Sequence, residues 1–232
     1  MSVSSSKSVH NILDVSLMAS IARSLFKDGP VFQRMLQHWR PYICPFERLV
    51  GHVRDGSRVL DIGCGSGLLL GLMAGTGLEF EGVGIDVSPR AIEVATGMAH
   101  RVTKMKLKAR LSFMQLDVGA HWPNGTFDAV FLVDVLHHIP LNFQRDFFDQ
   151  AISKVKDGGV LVYKDMCSQP WWKAQANRLH DLIIAHELVT HVPIRRVEEW
   201  GRSHGMEVTL REDICRLWYG HELMVMKRTI KY

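Results

Sequence analysis

The chain has 232 residues, of which 47% are apolar and 22% charged, a composition typical of a soluble globular domain with a full core. Its 28 basic and 24 acidic residues give a net charge of +4, which is too small to indicate a nucleic-acid or membrane-binding protein. The four cysteines form no Cys-x-x-Cys pair, which disfavours a metal site and favours a reducing, cytoplasmic setting. They are Cys44, Cys64, Cys167 and Cys215.

The first fifty residues predict a polar tail followed by a helical cap. Residues 1–10 are polar, lack the apolar core of a signal peptide and are expected to be disordered. Apolar residues at helical spacing predict a helix over residues 11–26 and a second one over residues 32–39, which Pro41 should break. A third helical piece is expected over residues 45–53.

From residue 58 onward, apolar strands alternate with helical stretches. This order predicts a mostly parallel sheet with helices on both faces, whose ligand binds beyond the carboxyl ends of the strands. Strands are predicted at residues 58–62, 80–85, 111–115, 129–133 and 160–163, with helices at residues 68–74, 89–101 and 142–155.

The last third of the chain follows another pattern. A long helix is predicted over residues 171–191 and a short one over residues 197–200. Two closing strands, at residues 207–211 and 222–227, should form an antiparallel hairpin with a turn around Tyr219-Gly220. The seven strands together predict an α/β sheet with helical caps.

The most specific local feature is the glycine loop after the first strand. Gly63, Gly65 and Gly67 alternate with small residues between the strand and an apolar helix. Such a loop lets a ligand approach the backbone closely. The spacing differs from the G-x-G-x-x-G fingerprint of dinucleotide-binding proteins. That fingerprint would place its third glycine at position 68, where this chain has Leu68.

Acidic residues follow the predicted strands. Because Asp61, Asp86, Asp117 and Asp134 each come at or just beyond a strand end, they should surround one crevice and repel a pyrophosphate. They suit a ligand that carries an ammonium, a sulfonium, ribose hydroxyls and an exocyclic amine. S-adenosylmethionine has all four groups.

Several motifs resemble those of class I S-adenosylmethionine-dependent methyltransferases, which implies a Rossmann-like fold and that cofactor. Residues 59–67 resemble the first motif, and residues 84–88 the second, whose acid holds the ribose diol. Asp117-Val118 resembles the third, which takes the adenine amine, while residues 127–140 and 156–162 resemble the fourth motif and the turn into the fifth strand. The implied cofactor residues are Asp61, Gly63, Gly65, Gly67, Asp86, Val87, Asp117, Val118 and Val133.

Arg40, upstream of the first strand, lies in a short run that resembles a known cofactor-binding element. The run Arg40-Pro41-Tyr42-Ile43 resembles an R-x-x-Ile element of ubiquinone-type O-methyltransferases. The resemblance implies that Arg40 meets the carboxylate of the cofactor. The alternative is that Arg40 is a solvated charge at a helix end.

A proton acceptor is needed only if the methylated group must lose a proton. His138 and Asp165 are the predicted catalytic residues, and His137 and Tyr163 lie equally close to the strand ends. The alternative is that the two histidines cap a turn and Asp165 binds backbone. His180, Glu187 and His191 could share a helix face, but no metal is expected, since His180 and Glu187 are seven positions apart rather than the four typical of a zinc helix.

The acceptor is expected to be a small aromatic or hydrophobic molecule methylated on a hydroxyl oxygen by in-line displacement. The loops that mark DNA amino-methylating and arginine-methylating enzymes are absent. Methylation of nitrogen, carbon or a carboxylate stays open, and the rivals are a non-catalytic cofactor-binding protein and a nicotinamide dehydrogenase. No nucleic-acid partner and no stable membrane insertion are expected, whereas a homodimer stays open.

The expected organisation is one methyltransferase domain over residues 1–232. Its parts are a disordered tail (1–10), an N-terminal helical cap (11–53), a cofactor-binding core (58–165), acceptor-side helices (166–205) and a closing hairpin (206–232).

Overall fold

A seven-stranded sheet forms the centre of the computed structural model, which describes residues 13–28, 31–116, 122–166, 192–217 and 219–230. The strands are β1 (Ser57–Ile62), β2 (Phe80–Asp86), β3 (Arg110–Gln115), β4 (Phe127–Val133), β5 (Val155–Met166), β6 (Met206–Arg216) and β7 (Tyr219–Arg228). Their order is β3-β2-β1-β4-β5-β7-β6, with β1 to β5 parallel and β7 antiparallel to both of its neighbours. The predicted fold class is confirmed.

Helices cover both faces of this sheet, because neighbouring residues along each strand point to opposite sides. Val59 and Phe131 belong to a core shared with the first, third, fourth and fifth helices, whereas Leu60 and Leu132 belong to a core shared with the last two. The helices are α1 (Val15–Leu25), α2 (Val31–Ile43), α3 (Phe46–Val50), α4 (Leu68–Gly75), α5 (Pro89–Lys104), α6 (Gln144–Ser153) and α7 (Ile194–Ser203), with a 3₁₀ turn at Leu136–His138.

Local sequence signals explain where two of the helices begin. The Asp14 carboxylate accepts a hydrogen bond from the Leu17 amide at 2.8 Å, which caps α1. Ser88 caps α5 in the same way through the amide of Ala91 at 3.3 Å, and Pro89 follows at the first helical position.

The predicted break at Pro41 is wrong, because α2 continues through this residue to Ile43. Proline removes one helical hydrogen bond, but here it lies in the last turn and contacts outside the helix hold the end. The Cys44 amide donates to the Arg40 carbonyl at 2.8 Å. The imidazole Nε2 of His221, on β7, donates to the Ile43 carbonyl at 2.7 Å.

The predicted hairpin turn at Tyr219-Gly220 is also wrong. These two residues already pair with Arg216 and Cys215 in the β6–β7 ladder, so the strands are longer than predicted. Leu217, which directly follows β6, has a φ of 55°, so the left-handed backbone of this turn lies before the predicted position.

Several sequence-based expectations lie outside the described residues. They are the tail at residues 1–10, the helix at residues 171–191, and the cofactor residues Asp117 and Val118. Among the helices that the structure does describe, none has the length and apolar character needed to cross a bilayer.

Gly63 offers a test of the strand-to-loop geometry. Its φ is 71°, and an added Cβ would lie 2.4 Å from Cγ2 of Val135. Gly63→Ala should therefore lower the free energy of unfolding by about 3 kcal/mol, from backbone strain and overpacking together. The measurement is urea unfolding followed by circular dichroism.

Gly56→Ala is the matched control, because Gly56 has a φ of 79° but no described atom within 4 Å of the added Cβ. Only the backbone strain remains there, with an expected cost of about 1 kcal/mol. Equal costs for the two substitutions would contradict the close contact between Gly63 and Val135.

Candidate cofactor and acceptor site

The glycine loop connects the carboxyl end of β1 to α4 in a left-handed path. Gly63, Gly65 and Gly67 have φ values of 71°, 54° and 75°, which L-residues with a Cβ rarely adopt. A Cβ on Gly67 would lie 2.7 Å from Phe113, so this glycine also serves packing. A Cβ on Gly65 would meet no described atom within 4 Å, which makes Gly65 the point where a ligand can reach the backbone.

Asp86, at the end of β2, holds this loop in place. One carboxylate oxygen accepts the Gly65 amide at 2.8 Å, and the other accepts the Ser88 amide at 2.8 Å. A carboxylate has about four acceptor positions, so Asp86 retains the capacity to bind a diol beside the loop. The next residue, Val87, is 68% exposed and flanks this position.

Asp61 lies beneath the loop at the end of β1 and is only 3% exposed. Burial, and then the nearby charge of Asp86, raise the pKa of Asp61 to about 7, while Arg40 acts in the opposite direction. A cationic ligand beside Asp61 would favour its ionised form.

Asp134 does not join the other acids in an open crevice, which corrects the expectation of four available carboxylates. The Lys164 ammonium contacts its two oxygens at 2.7 and 2.8 Å, and the Arg40 guanidinium lies 3.6 Å away. Burial alone would raise the pKa of Asp134, but Lys164 and then Arg40 hold it below its ordinary value. Its charge is therefore already balanced within the protein.

Asp165 pairs with His137 rather than with His138. His137 Nδ1 lies 2.5 Å from an Asp165 oxygen, and the side chains of both residues are nearly inaccessible to solvent. The same carboxylate accepts the Met166 amide at 2.8 Å and the Tyr163 hydroxyl at 3.4 Å. His138 is exposed, and its ring lies 4.1 Å from that of His137.

Two buried polar residues were not selected from the sequence. Lys164 is fully buried in β5. His221 in β7 is 4% exposed, and burial followed by the charge of Lys164 lowers its pKa to about 3. Because His221 Nε2 donates to a carbonyl, its Nδ1 is an acceptor, and it has no hydrogen-bond partner in the described part of the chain. The sequence signal that could have identified Lys164 and His221 is their position, because each directly adjoins a predicted strand, at residues 160–163 and 222–227.

The predicted site residues that the structure describes lie at the carboxyl edge of the parallel strands. Arg40 reaches this edge from the last turn of α2, and Val133 ends β4. Within the described ranges, no three His, Cys, Asp or Glu side chains are arranged to hold a metal ion.

Comparison with known proteins gives the class that this fold and site define. A family model described as a methyltransferase domain matches residues 32–210. The chain is similar to the mitochondrial ubiquinone biosynthesis O-methyltransferase of Schizosaccharomyces pombe, with 35% identity over 68% of this chain and 52% of that protein. It is also similar to 27-O-demethylrifamycin SV methyltransferase of Amycolatopsis mediterranei, with 29% identity over 73% of this chain and 62% of that protein.

The fold also resembles a solved structure of magnesium protoporphyrin IX methyltransferase from Synechocystis with bound SAH. The TM-score is 0.65 and the identity 16%, over 90% of this chain and 94% of that one. This chain belongs to the methyltransferase-domain family, and the predicted resemblance to class I S-adenosylmethionine-dependent methyltransferases is confirmed. The matches span about half of the curated relatives' own length, 52% and 62% for the two described above.

The raised pKa of Asp61 predicts a pH dependence of stability. Its pKa is about 7 in the folded chain against an ordinary 3.8, so between these values the folded state binds more protons than the unfolded state. The Asp61 contribution to the free energy of unfolding should therefore fall as the pH rises from 3.8 to about 7. The total loss should be a few kcal/mol, at about 1.4 kcal/mol per pKa unit.

Urea unfolding of the wild type and Asp61→Asn at pH 5 and pH 8 measures this effect. The wild type should lose more stability than the variant between the two pH values. Asp128→Asn is the control: partial burial would raise the pKa of Asp128, but hydrogen bonds from the Arg58 amide and Lys156 lower it, so its contribution does not change between pH 5 and pH 8 and the variant should lose as much stability as the wild type. Parallel losses in the wild type and Asp61→Asn would contradict the assignment.

Proposed function

We propose that this chain transfers the methyl group of S-adenosylmethionine to a hydroxyl oxygen of a small aromatic or hydrophobic acceptor. The observation that carries the proposal is the buried His137–Asp165 pair at the carboxyl ends of β4 and β5. A hydroxyl acceptor must lose a proton, and a histidine oriented by a carboxylate is suited to take it. Two of the similar proteins are named as methyltransferases that act on oxygen.

The cofactor is proposed to lie across the glycine loop. Asp86 would bind the ribose hydroxyls, because its carboxylate already faces Gly65, where a ligand can approach. Asp61 would face the ammonium group, and Arg40 the carboxylate of the methionine part. Gly63, Gly67, Val87 and Val133 would line the site, and by the family resemblance Asp117 and Val118 would contact the adenine.

His137 is proposed as the proton acceptor in place of His138. The Asp165 carboxylate accepts a hydrogen bond from Nδ1, which makes Nε2 the basic nitrogen of the His137 ring. Nε2 would take the acceptor's hydroxyl proton, and Asp165 would stabilise the resulting imidazolium. S-adenosylmethionine supplies an already activated methyl group, so orientation provides much of the remaining acceleration.

The exposed face of α2 supports an apolar acceptor. Phe32, Met35 and Trp39 are 61%, 58% and 52% exposed and lie on the helix that ends beside Arg40. Met35 and Trp39 line a groove of about 800 Å³ between α1 and α2. An apolar group on the acceptor could cover this surface while its hydroxyl reaches the strand ends.

Turnover tests the proposal directly. Wild-type protein, labelled S-adenosylmethionine and a panel of catechols, phenols and hydroxylated quinone precursors should yield a labelled O-methyl product. His137→Gln should lower kcat about 100-fold, since a positioned general base contributes about that much, while the affinity for S-adenosylhomocysteine stays unchanged.

Two further histidine variants sharpen this test. His204→Gln is the control, because His204 pairs with Asp149 near the end of α7 and should leave kcat unchanged. His138→Gln distinguishes between the two neighbouring rings: a larger loss of kcat in this variant than in His137→Gln would assign the proton acceptor to His138. Full turnover by both His137→Gln and His138→Gln would exclude either histidine as the base.

Asp86→Ala should weaken the binding of S-adenosylhomocysteine by about 1–3 kcal/mol, the range for losing hydrogen bonds to a charged group. Asp128→Ala is the matched control: Asp128 also accepts a backbone amide, that of Arg58 at 2.9 Å, but lies at the opposite end of the sheet. Calorimetric titration of each variant with S-adenosylhomocysteine measures the two affinities. An Asp86→Ala variant with wild-type affinity would remove Asp86 from the ribose role.

A further inference from the structure

A buried ion pair joins β4 and β5 beside the proposed cofactor site. The Lys164 side chain is fully buried, and its ammonium contacts both oxygens of Asp134 at 2.7 and 2.8 Å. Taking two charges out of water is costly, and an apolar pair of similar volume is often at least as stable. Stability alone therefore gives little reason for an ammonium at this position.

The ion pair determines how much of the positive charge on a third group, the Arg40 guanidinium, is left uncompensated. The Arg40 guanidinium lies 3.6 Å from Asp134, so one carboxylate faces two cations and the three groups carry a net charge of +1. The Arg40 side chain is 40% exposed, against 17% for Asp134 and none for Lys164. The excess positive charge is therefore presented to a ligand through Arg40.

The end of α2 is fixed, which keeps Arg40 in this place. The Arg40 carbonyl accepts the Cys44 amide, and the Ile43 carbonyl accepts a hydrogen bond from His221 on β7. Arg40 is also close enough to Asp61 to oppose the rise of its pKa. Arg40 thus lies between the Asp134–Lys164 pair and the strand end that leads into the glycine loop.

We propose that Lys164 is a positioning residue for cofactor binding: it neutralises Asp134, so that the charge of Arg40 remains available to the carboxylate of the cofactor's methionine part. This inference rests on the proposed function. Without Lys164, the Asp134 carboxylate would draw the Arg40 guanidinium into direct contact and compensate its charge. The same three groups would then have a net charge of zero.

Two probes isolate this effect. S-adenosylhomocysteine carries the carboxylate, whereas its decarboxylated analogue, 5′-(3-aminopropylthio)-5′-deoxyadenosine, keeps the adenosine, the thioether and the ammonium but has no carboxylate. Lys164→Met should weaken the first about tenfold, as expected for losing a charged hydrogen bond, and leave the second unchanged. Calorimetric titration of both probes at one ionic strength gives the two affinities.

A double variant tests the charge balance itself. Asp134→Asn combined with Lys164→Met removes both charges of the pair and returns the net charge to +1, so S-adenosylhomocysteine should bind with wild-type affinity. Asparagine also tolerates the left-handed backbone of residue 134, whose φ is 55°. Lys156→Met is the matched control, because Lys156 is on the same strand but pairs with Asp128, and it is 57% exposed. Both probes should bind this control as they bind the wild type.

Three results would overturn the inference: unchanged S-adenosylhomocysteine affinity in Lys164→Met, an equal loss for both probes, or a double variant that stays weakened. If Lys164→Met does not fold, the double variant is compared with Arg40→Met instead. Then the double variant should bind normally, and Arg40→Met should lose about tenfold for S-adenosylhomocysteine alone. Failure of wild-type protein to bind either probe would instead refute the proposed function.

Discussion

The hydrogen bond from the Gly65 amide to the Asp86 carboxylate is the contact on which the proposed site depends. It joins the loop after β1 to the end of β2, so that the exposed backbone at Gly65 and the ribose-binding candidate form one surface. The parallel strands place both at the same edge of the sheet. Without this bond, the glycines would allow many loop conformations, because each of them lacks the Cβ that restricts the backbone.

Charge is distributed unevenly along that edge, and each acid there has a different environment. Asp61 is buried and becomes harder to ionise, Asp86 is held by backbone amides, and Asp134 is compensated by Lys164 and Arg40. A ligand would match these environments with an ammonium beside Asp61, a diol at Asp86 and a carboxylate at Arg40. The methionine and ribose parts of S-adenosylmethionine carry those groups, and the family assignment agrees with that chemistry.

The sheet and the glycine loop were predictable from the sequence because their signals are local: apolar strands, glycines at fixed spacing and acids after the strands. The end of α2 was not, since it depends on His221, which lies 178 residues away from Ile43 along the chain. The pairing of Asp165 with His137 likewise requires knowing which ring turns inward. Adjacent histidines carry no sequence signal for that choice, and Lys164 finds its partner only once β4 and β5 lie side by side.

The most direct test of the account is a calorimetric titration of the wild-type protein with S-adenosylhomocysteine, with NADH titrated separately under the same conditions. The account predicts saturable binding of S-adenosylhomocysteine at one site per chain and no binding of NADH, whose pyrophosphate would meet Asp61 and Asp86. Binding of NADH, with none of S-adenosylhomocysteine, would contradict it.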